Sequence, residues 1–291
     1  MPWLQLSIVI DKSEVERVSE FLQDAGALSV TSMDAGDEPL LEPAPGETPL
    51  WQRVRVVALM KPDTDTARLQ ASLVEVFPTA AAGLAVETLD DRDWSETWRD
   101  SFSAMRFGER LWIVPSGEDC PDPAAVVVRL DPGLAFGTGT HATTALCLEW
   151  LDAHVSAGGS VIDYGCGSGI LAIAAHKLGA ARVYAVDIDP QALQATRENA
   201  SRNGITAGLT VQFPDELGVD AVDLVIANIL ANPLIELSGR LSGLLAAGGH
   251  IIMTGILAEQ ADEVMAAYRD AVEFTEPVLR DEWVLLTGRK R

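Results

Sequence analysis

Cysteine is scarce in this chain. The 291 residues hold three, Cys120, Cys147 and Cys166, and none lies two or three residues from another. That spacing excludes a disulfide framework and a cysteine-based zinc site. Basic residues are also in short supply, with 21 Lys and Arg against 43 Asp and Glu and a formal net charge of −22. The deficit runs throughout. Residues 1–90 carry 6 basic and 15 acidic side chains, residues 91–130 carry 5 and 8, and residues 131–291 carry 10 and 20. No part is basic, so sequence-independent binding to a phosphate backbone and adhesion to an anionic membrane are both disfavoured. Long apolar runs are missing too. The most apolar late stretch, Leu244 to Ala258, contains His250 and several glycines, and a membrane span needs about 20 apolar residues. The opening Met1-Pro2-Trp3-Leu4-Gln5-Leu6 has no basic leader and soon meets Asp11, so it does not read as a signal peptide. The expected location is cytoplasmic.

What is present is globular composition, 48% apolar and 22% charged, in a length that suits two domains. Residues 3–10 read as a strand. Val15, Val18, Phe21 and Leu22 then recur at helical spacing, with Ser13 as the expected N-cap and Gly26 as the stop. Strands are expected at 27–33, 54–59 and 84–89, and a helix over 64–77. The order β-α-β-β-α-β predicts a ferredoxin-like α+β domain over residues 1–90. Residues 91–130 read as a connector. Trp94, Trp98, Phe102 and Met105 form a near-helical aromatic stripe there, and strands are expected at 111–114 and 125–130.

From residue 131 to 291 strand and helix alternate. Strands are expected at 160–164, 182–187, 222–227 and 249–254, and helices at 141–153, 169–178, 190–203, 233–245 and 258–270. This is the order of an α/β fold with a mostly parallel sheet. The runs 273–279 and 282–289, joined by Arg280-Asp281, have no helix between them. They predict an antiparallel C-terminal hairpin.

The strongest chemical signal is Val161-Ile162-Asp163-Tyr164-Gly165-Cys166-Gly167-Ser168-Gly169, an apolar strand entering a glycine turn that opens a helix. Glycines permit a tight turn and a close ligand. A second strand, Val183 to Val186, ends at Asp187, 18 residues after Gly169, where a carboxylate can accept hydrogen bonds from ribose hydroxyls. Together the two motifs point to a nucleoside. The dinucleotide pattern would require glycine at position 170, which is Ile170, and no Walker lysine follows. Asp163 would repel a pyrophosphate but can face an ammonium group.

An acid followed by G-x-G-x-G, a second acid at Asp187 and a terminal hairpin resemble the Rossmann-like S-adenosylmethionine-dependent methyltransferases. Two further segments sharpen this, the glycine-rich run Asp131 to Thr144 and Asn228-Ile229-Leu230-Ala231-Asn232-Pro233. With Met105-Arg106-Phe107-Gly108 and Leu111-Trp112-Ile113 they resemble the bacterial ribosomal protein methyltransferases of the PrmA family. The resemblance implies methyl transfer from S-adenosylmethionine, with S-adenosylhomocysteine as product, to lysine side chains and the N-terminal amine of protein eleven of the large ribosomal subunit. It also implies that the N-terminal domain docks this substrate. Thr144, Gly165, Asp187 and Asn228 would contact the cofactor, with Phe136, Gly137, Asp163, Gly167 and Gly169 completing its site.

Asn228 stands where many amino-group methyltransferases carry an Asn/Asp-Pro-Pro-Tyr/Phe tetrapeptide, and here the residues are Asn-Ile-Leu-Ala. With no aromatic platform for a planar group, a tetrahedral amine is the better substrate. Asn228 is expected to orient that amine, and His141 is either the titratable group that takes its proton or a loop or helix-cap residue. No metal, nucleic acid or membrane is called for, and a monomer is expected. A basic partner fits the acidic chain. The alternative is a methyltransferase of the same fold acting on RNA or a small molecule.

Overall fold

The structure is a computed structural model, and it describes residues 3–36, 50–78, 83–89, 103–131, 141–155 and 157–291. Trp94, Trp98 and Phe102 of the aromatic stripe and Phe136 and Gly137 of the glycine-rich run lie outside the described residues. The chain divides into two compact units, Met1–Thr97 and Trp98–Arg291.

In the first unit, β1 (Trp3–Asp11), α1 (Val15–Asp24), β2 (Ser29–Asp34), β3 (Arg53–Met60), α2 (Thr66–Val76) and β4 (Ala85–Leu89) follow in chain order. The sheet order is β2-β3-β1-β4 with every neighbouring pair antiparallel, the ferredoxin-like arrangement expected. Period-two alternation sends Leu6, Ile8 and Ile10 of β1 and Val54, Val56, Ala58 and Met60 of β3 to the same core. Val15, Val18 and Leu22 of α1 and Leu69 and Leu73 of α2 cover that face, each large side chain contributing roughly 1.5–3 kcal/mol on burial. The entry to α1 differs from expectation. Asp11 caps a 3-10 turn (Lys12–Glu14), its carboxylate accepting the Ser13 N–H at 3.0 Å and the Ser13 hydroxyl at 2.7 Å. Ser13 is thus a donor to the cap, because the ionised side chain two residues earlier is the stronger acceptor.

The second unit opens with β5 (Met105–Phe107), β6 (Leu111–Val114) and β7 (Val126–Arg129), a small sheet of their own. Then come α3 (Ala142–His154), β8 (Ser160–Tyr164), α4 (Ile170–Lys177), β9 (Arg182–Val186), α5 (Pro190–Arg202), β10 (Leu209–Gln212) and β11 (Val222–Asn228). The chain ends with α6 (Ala231–Glu236), α7 (Ser238–Gly243), β12 (Leu245–Leu257), α8 (Ala261–Tyr268), β13 (Val272–Phe274), β14 (Val278–Arg280) and β15 (Trp283–Lys290). The main sheet runs β10-β9-β8-β11-β12-β15-β13, with β14 also on β15. Its first five strands are parallel, and β15 pairs antiparallel with β12, β13 and β14. Consecutive residues of β11 serve opposite cores, Leu224 and Ile226 in one and Val225 and Ala227 in the other. Burial on both faces is why these strands read as unbroken apolar runs.

Three expectations need adjusting. The helix expected over 233–245 is two short helices that break at Leu237, and the weak helix formers Gly239 and Gly243 leave little to hold one continuous rod. The run 273–279 splits into β13 and β14, because Pro277 has no N–H to give the ladder. β10 was not expected at all. Its four residues, Leu209-Thr210-Val211-Gln212, earn strand geometry only from the exposed edge of β9.

Candidate functional site

The parallel strands β9, β8 and β11 end on one side of the main sheet, and the site is built there, as open α/β sheets favour. At the end of β8 the chain turns through Gly165, Gly167 and Gly169, with φ of +82°, +52° and +77°. The first and third glycines are needed for different reasons. At Gly165 a Cβ would collide with Cγ2 of Ile229, just past β11. At Gly169, N-cap of α4, a Cβ would stand 2.6 Å from Cγ2 of Thr196 on α5. The first opens the turn toward the cavity, and the third lets α4 and α5 pack.

Every peptide of the turn is tied down. Gly165 and Cys166 donate their N–H groups to the Val186 carbonyl at 2.7 and 3.0 Å. Gly167 N–H donates to Oδ2 of Asp187 at 2.9 Å, and Asp189 N–H donates to its Oδ1 at 3.0 Å. Asp187 is thereby fixed at the end of β9 with lone pairs left over on both oxygens. From behind, the buried Thr196 hydroxyl donates to the Gly167 carbonyl at 3.0 Å and Asn199 Nδ2 donates to the Ser168 carbonyl at 2.8 Å.

Asp163 takes another place. It is fully buried, its Oδ2 accepts the Ala172 N–H of α4 at 2.9 Å, and its Oδ1 has no hydrogen-bond partner. Burial pushes its carboxyl up to about 7, and the nearby Asp187 charge adds to the rise. Asp163 and Gly169 are not among the residues that line the cavity. Both act behind it, on the seating of α4.

The cavity encloses about 680 Å³, in the range of small-molecule sites. Gly165, Gly167 and Asp187 form one end, with Ile188, 81% exposed, beside them. Thr144 and Asn228 stand further along, and Asn228 Nδ2 donates to the buried Thr144 hydroxyl oxygen at 3.5 Å. That bond uses an amide hydrogen and leaves the carbonyl oxygen Oδ1 as the acceptor. His141 is the N-cap of α3. Its Nδ1 accepts the Thr143 N–H at 3.4 Å and lies 2.7 Å from the Thr143 hydroxyl, which places the proton of a neutral ring on Nε2. The His141 ring meets the Trp283 ring edge-on, centroids 5.0 Å apart. The structure therefore gathers Thr144, Gly165, Gly167, Asp187, Asn228 and His141 around one cavity. Sequence reasoning missed Trp283, Leu230 and Pro233 in its wall and Thr196 and Asn199 behind it. The buried polar pair on α5, three residues apart, was the only available signal for the last two.

The residues present fit a nucleoside that carries a charged, flexible side chain and no phosphate. A fixed carboxylate waits at the end of β9, the glycine turn admits a ligand against its backbone, and most of the remaining wall is apolar. Comparison with known proteins decides the family. A family model described as ribosomal protein L11 methyltransferase (PrmA) matches residues 2–291. The chain is 51% identical over 292 residues to the ribosomal protein L11 methyltransferase of Pseudomonas aeruginosa (strain LESB58), covering 100% of this chain and 99% of that one. It is 51% identical over 294 residues to that of Serratia proteamaculans (strain 568), covering 100% of both. The chain belongs to the ribosomal protein L11 methyltransferase family. A crystal structure of ribosomal protein L11 methylase from Lactobacillus delbrueckii subsp. bulgaricus is 36% identical with a TM-score of 0.60, covering 65% of this chain and 100% of that one.

Membership makes this chain a protein methyltransferase of the S-adenosylmethionine-dependent class, the family its motifs resembled. It also confirms the Rossmann-like fold with an antiparallel C-terminal edge. Among the described residues, no helix is long and apolar enough to cross a membrane.

Proposed function

We propose that this enzyme transfers methyl groups from S-adenosylmethionine to amino groups of ribosomal protein L11, lysine side chains and the N-terminal amine. One observation carries the reading. A single cavity holds a ribose-type acceptor, Asp187, at one end and a neutral amide, Asn228, locked by Thr144, further along. Asp187 would take the ribose hydroxyls and the Gly165–Gly167 backbone would lie along the cofactor, with Phe136 and Gly137 added from the preceding run. When bound, the cofactor supplies an activated methyl group on a sulfonium, so the transfer calls on no metal.

The protein's own part is to orient a neutral amine and to exclude water. Oδ1 of Asn228 accepts an N–H of the amine, which turns the nitrogen lone pair toward the methyl group. An alkylammonium begins near a pKa of about 10.4, and entry into an apolar cavity disfavours its charged form. The ammonium then gives its proton to bulk water as it enters and is desolvated. His141 Nδ1 is engaged by the cap of α3, so His141 would take that proton only by giving up the cap. The N-terminal unit, with its own core and no cofactor motif, is the docking element in this reading. The net charge of −22 draws a basic ribosomal protein toward the enzyme. In this reading the enzyme works in the cytoplasm as a monomer.

The test is incubation of the protein with methyl-labelled S-adenosylmethionine and free large-subunit ribosomal proteins, followed by mapping of the label. Label confined to amines of ribosomal protein L11, and lost in Asn228→Ala while cofactor binding persists, is the expected result. Label on ribosomal RNA or on a small molecule would overturn it.

A further inference from the structure

We infer that Ile229 is the positioning residue that couples the glycine turn to Asn228, so that a cofactor on the turn fixes the amide that orients the amine. The inference rests on the reading above, that the substrate is a protein amine and that the cofactor lies along the Gly165 turn.

Three strand ends meet at this residue. β8, β11 and β12 are neighbours in the parallel part of the sheet. Asp163 pairs with Ile226, and Asn228 pairs with Thr254. Two residues past the first pair, the chain leaving β8 sets Gly165 beside Asn228. One residue past the second pair, β12 reaches Gly255. Ile229 is the first residue beyond β11 and sits between the two glycines. Gly165, Asn228, Ile229 and Gly255 all line the cavity.

Both glycines are left-handed, with φ of +82° and +83°, and both leave their space to Ile229. At Gly165, the heavy atoms of the described residues within 4 Å of a Cβ, chain neighbours aside, would be Cγ2 and Cβ of Ile229, with Cγ2 in collision. At Gly255 a Cβ would collide with the Ile229 oxygen and stand 2.8 Å from its carbonyl carbon and 3.2 Å from its nitrogen. The side chain of Ile229 is therefore seated on the turn, and its backbone is seated on β12.

A wedge seated at both ends passes on a displacement if it is stiff. Isoleucine branches at Cβ, which restricts χ1. Cγ2 cannot swing off Gly165 without carrying Cγ1 into another well, so a shift of the turn moves the Ile229 Cα. One peptide joins that Cα to Asn228. Among the described residues the Asn228 side chain is held by one long bond, to Thr144 at 3.5 Å, so its place follows its backbone. A cofactor on the turn fixes Gly165, then Ile229, then Asn228. An amine that meets an amide already fixed binds more tightly.

The competing explanation is simple packing. Ile229 is half-buried against the core that holds Val225 and Ala227, and any apolar side chain of its size would serve there. The two explanations rank substitutions differently. Ile229→Leu keeps the volume but has a single Cγ. In the Cγ2 well its δ-carbons would run into Gly165, so it must leave that side empty. Ile229→Val keeps the branch and Cγ2 but is smaller. Ile229→Ala loses both. Packing ranks the variants Leu, Val, Ala. Coupling ranks Val first, with Leu and Ala together behind it.

The experiment uses the full-length enzyme. Calorimetry gives the Kd of ribosomal protein L11 for enzyme free of S-adenosylhomocysteine and for enzyme saturated with it, and the ratio of the two is the coupling. The wild type and Ile229→Val should bind ribosomal protein L11 about five- to 150-fold more tightly when S-adenosylhomocysteine is present. In Ile229→Leu and Ile229→Ala the ratio should fall to about twofold or less, and kcat should fall about ten- to hundredfold. Ile229→Leu should keep its Tm within about 6 °C of the wild type. Should Ile229→Ala unfold, Leu and Val decide the matter alone. A wild-type ratio near one overturns the inference, as does Ile229→Leu with the ratio intact or Ile229→Val without it. If the unmodified enzyme leaves ribosomal protein L11 unlabelled, the proposed function fails. If it labels that protein and the variants rank by volume, only the role of Ile229 fails.

Discussion

Removing one hydroxyl behind the cofactor turn should weaken cofactor binding from a distance. Thr196 is fully buried on α5, and its Oγ1 donates to the Gly167 carbonyl at 3.0 Å. Thr196→Val keeps the shape of the side chain and leaves that carbonyl without its donor. A buried acceptor stripped of its partner costs about 1–3 kcal/mol. For a unit of this size each kcal/mol moves Tm by about 2–4 °C, so thermal unfolding should drop by about 2–12 °C. The same carbonyl belongs to the turn whose next N–H back, that of Gly167, holds Asp187. Once released, the turn samples other conformations, and S-adenosylmethionine must select the competent one. If the whole 1–3 kcal/mol appears in binding, Kd rises about five- to 150-fold. Isothermal calorimetry with S-adenosylmethionine and S-adenosylhomocysteine measures the rise, and Thr196→Ser, which restores the hydroxyl, should bring it most of the way back. A variant that loses stability but binds both ligands with unchanged Kd would refute the link between Thr196 and the turn. A variant unchanged in Tm and Kd would refute the hydrogen bond itself.

Three further outcomes follow from the same geometry. Gly169→Ala forces a side chain into positive φ, at about 1–2 kcal/mol, and against Thr196, at about 1–3 kcal/mol, so denaturant unfolding should show a loss of about 2–5 kcal/mol; a loss below about 1 kcal/mol would mean α4 and α5 can separate freely. Asp187→Asn trades an ionised acceptor for a neutral one, worth about 1.5–3 kcal/mol, so calorimetry should find S-adenosylmethionine binding about ten- to hundredfold weaker with the fold intact, and unchanged affinity would remove Asp187 from the ribose site. Asp163, raised by burial from 3.8 to about 7, holds its proton more tightly folded than unfolded. The folded state therefore binds the extra proton between these values, and stability should fall as pH rises from about 4 to about 7 and then level off. The full difference is as much as about 4 kcal/mol. Chemical denaturation across that range should show this slope in the wild type and lose it in Asp163→Asn, and parallel curves would dismiss the buried carboxyl as its source.

How much was legible in the sequence varied with the distance over which each feature is decided. The first unit was readable because Leu6, Ile8 and Ile10, or Val54, Val56 and Ala58, alternate on strands whose other face is more polar. β10 was not, since Leu209 to Gln212 become a strand only when β9 offers an edge. The helix expected over 233–245 breaks at Leu237, just before Ser238-Gly239, a local fact that its apolar periodicity concealed. In the sequence His141 reads as a base or as a loop or helix-cap residue, and the turn of α3 shows its Nδ1 accepting in the cap.

The sequence by itself determined the glycine-turn end of the cavity. Gly165, Gly167 and Asp187 are bound to their roles by a strand, a turn and the next strand, a unit local enough to be written in one short stretch of chain. The tertiary structure alone decided the far wall of the cavity and the support behind the turn. Trp283 meets His141 across 142 positions of sequence, and Thr196 reaches Gly167 across 29. Neither meeting has a local signature, because both depend on the order in which the strands are laid side by side and on how closely α4 and α5 can approach at Gly169.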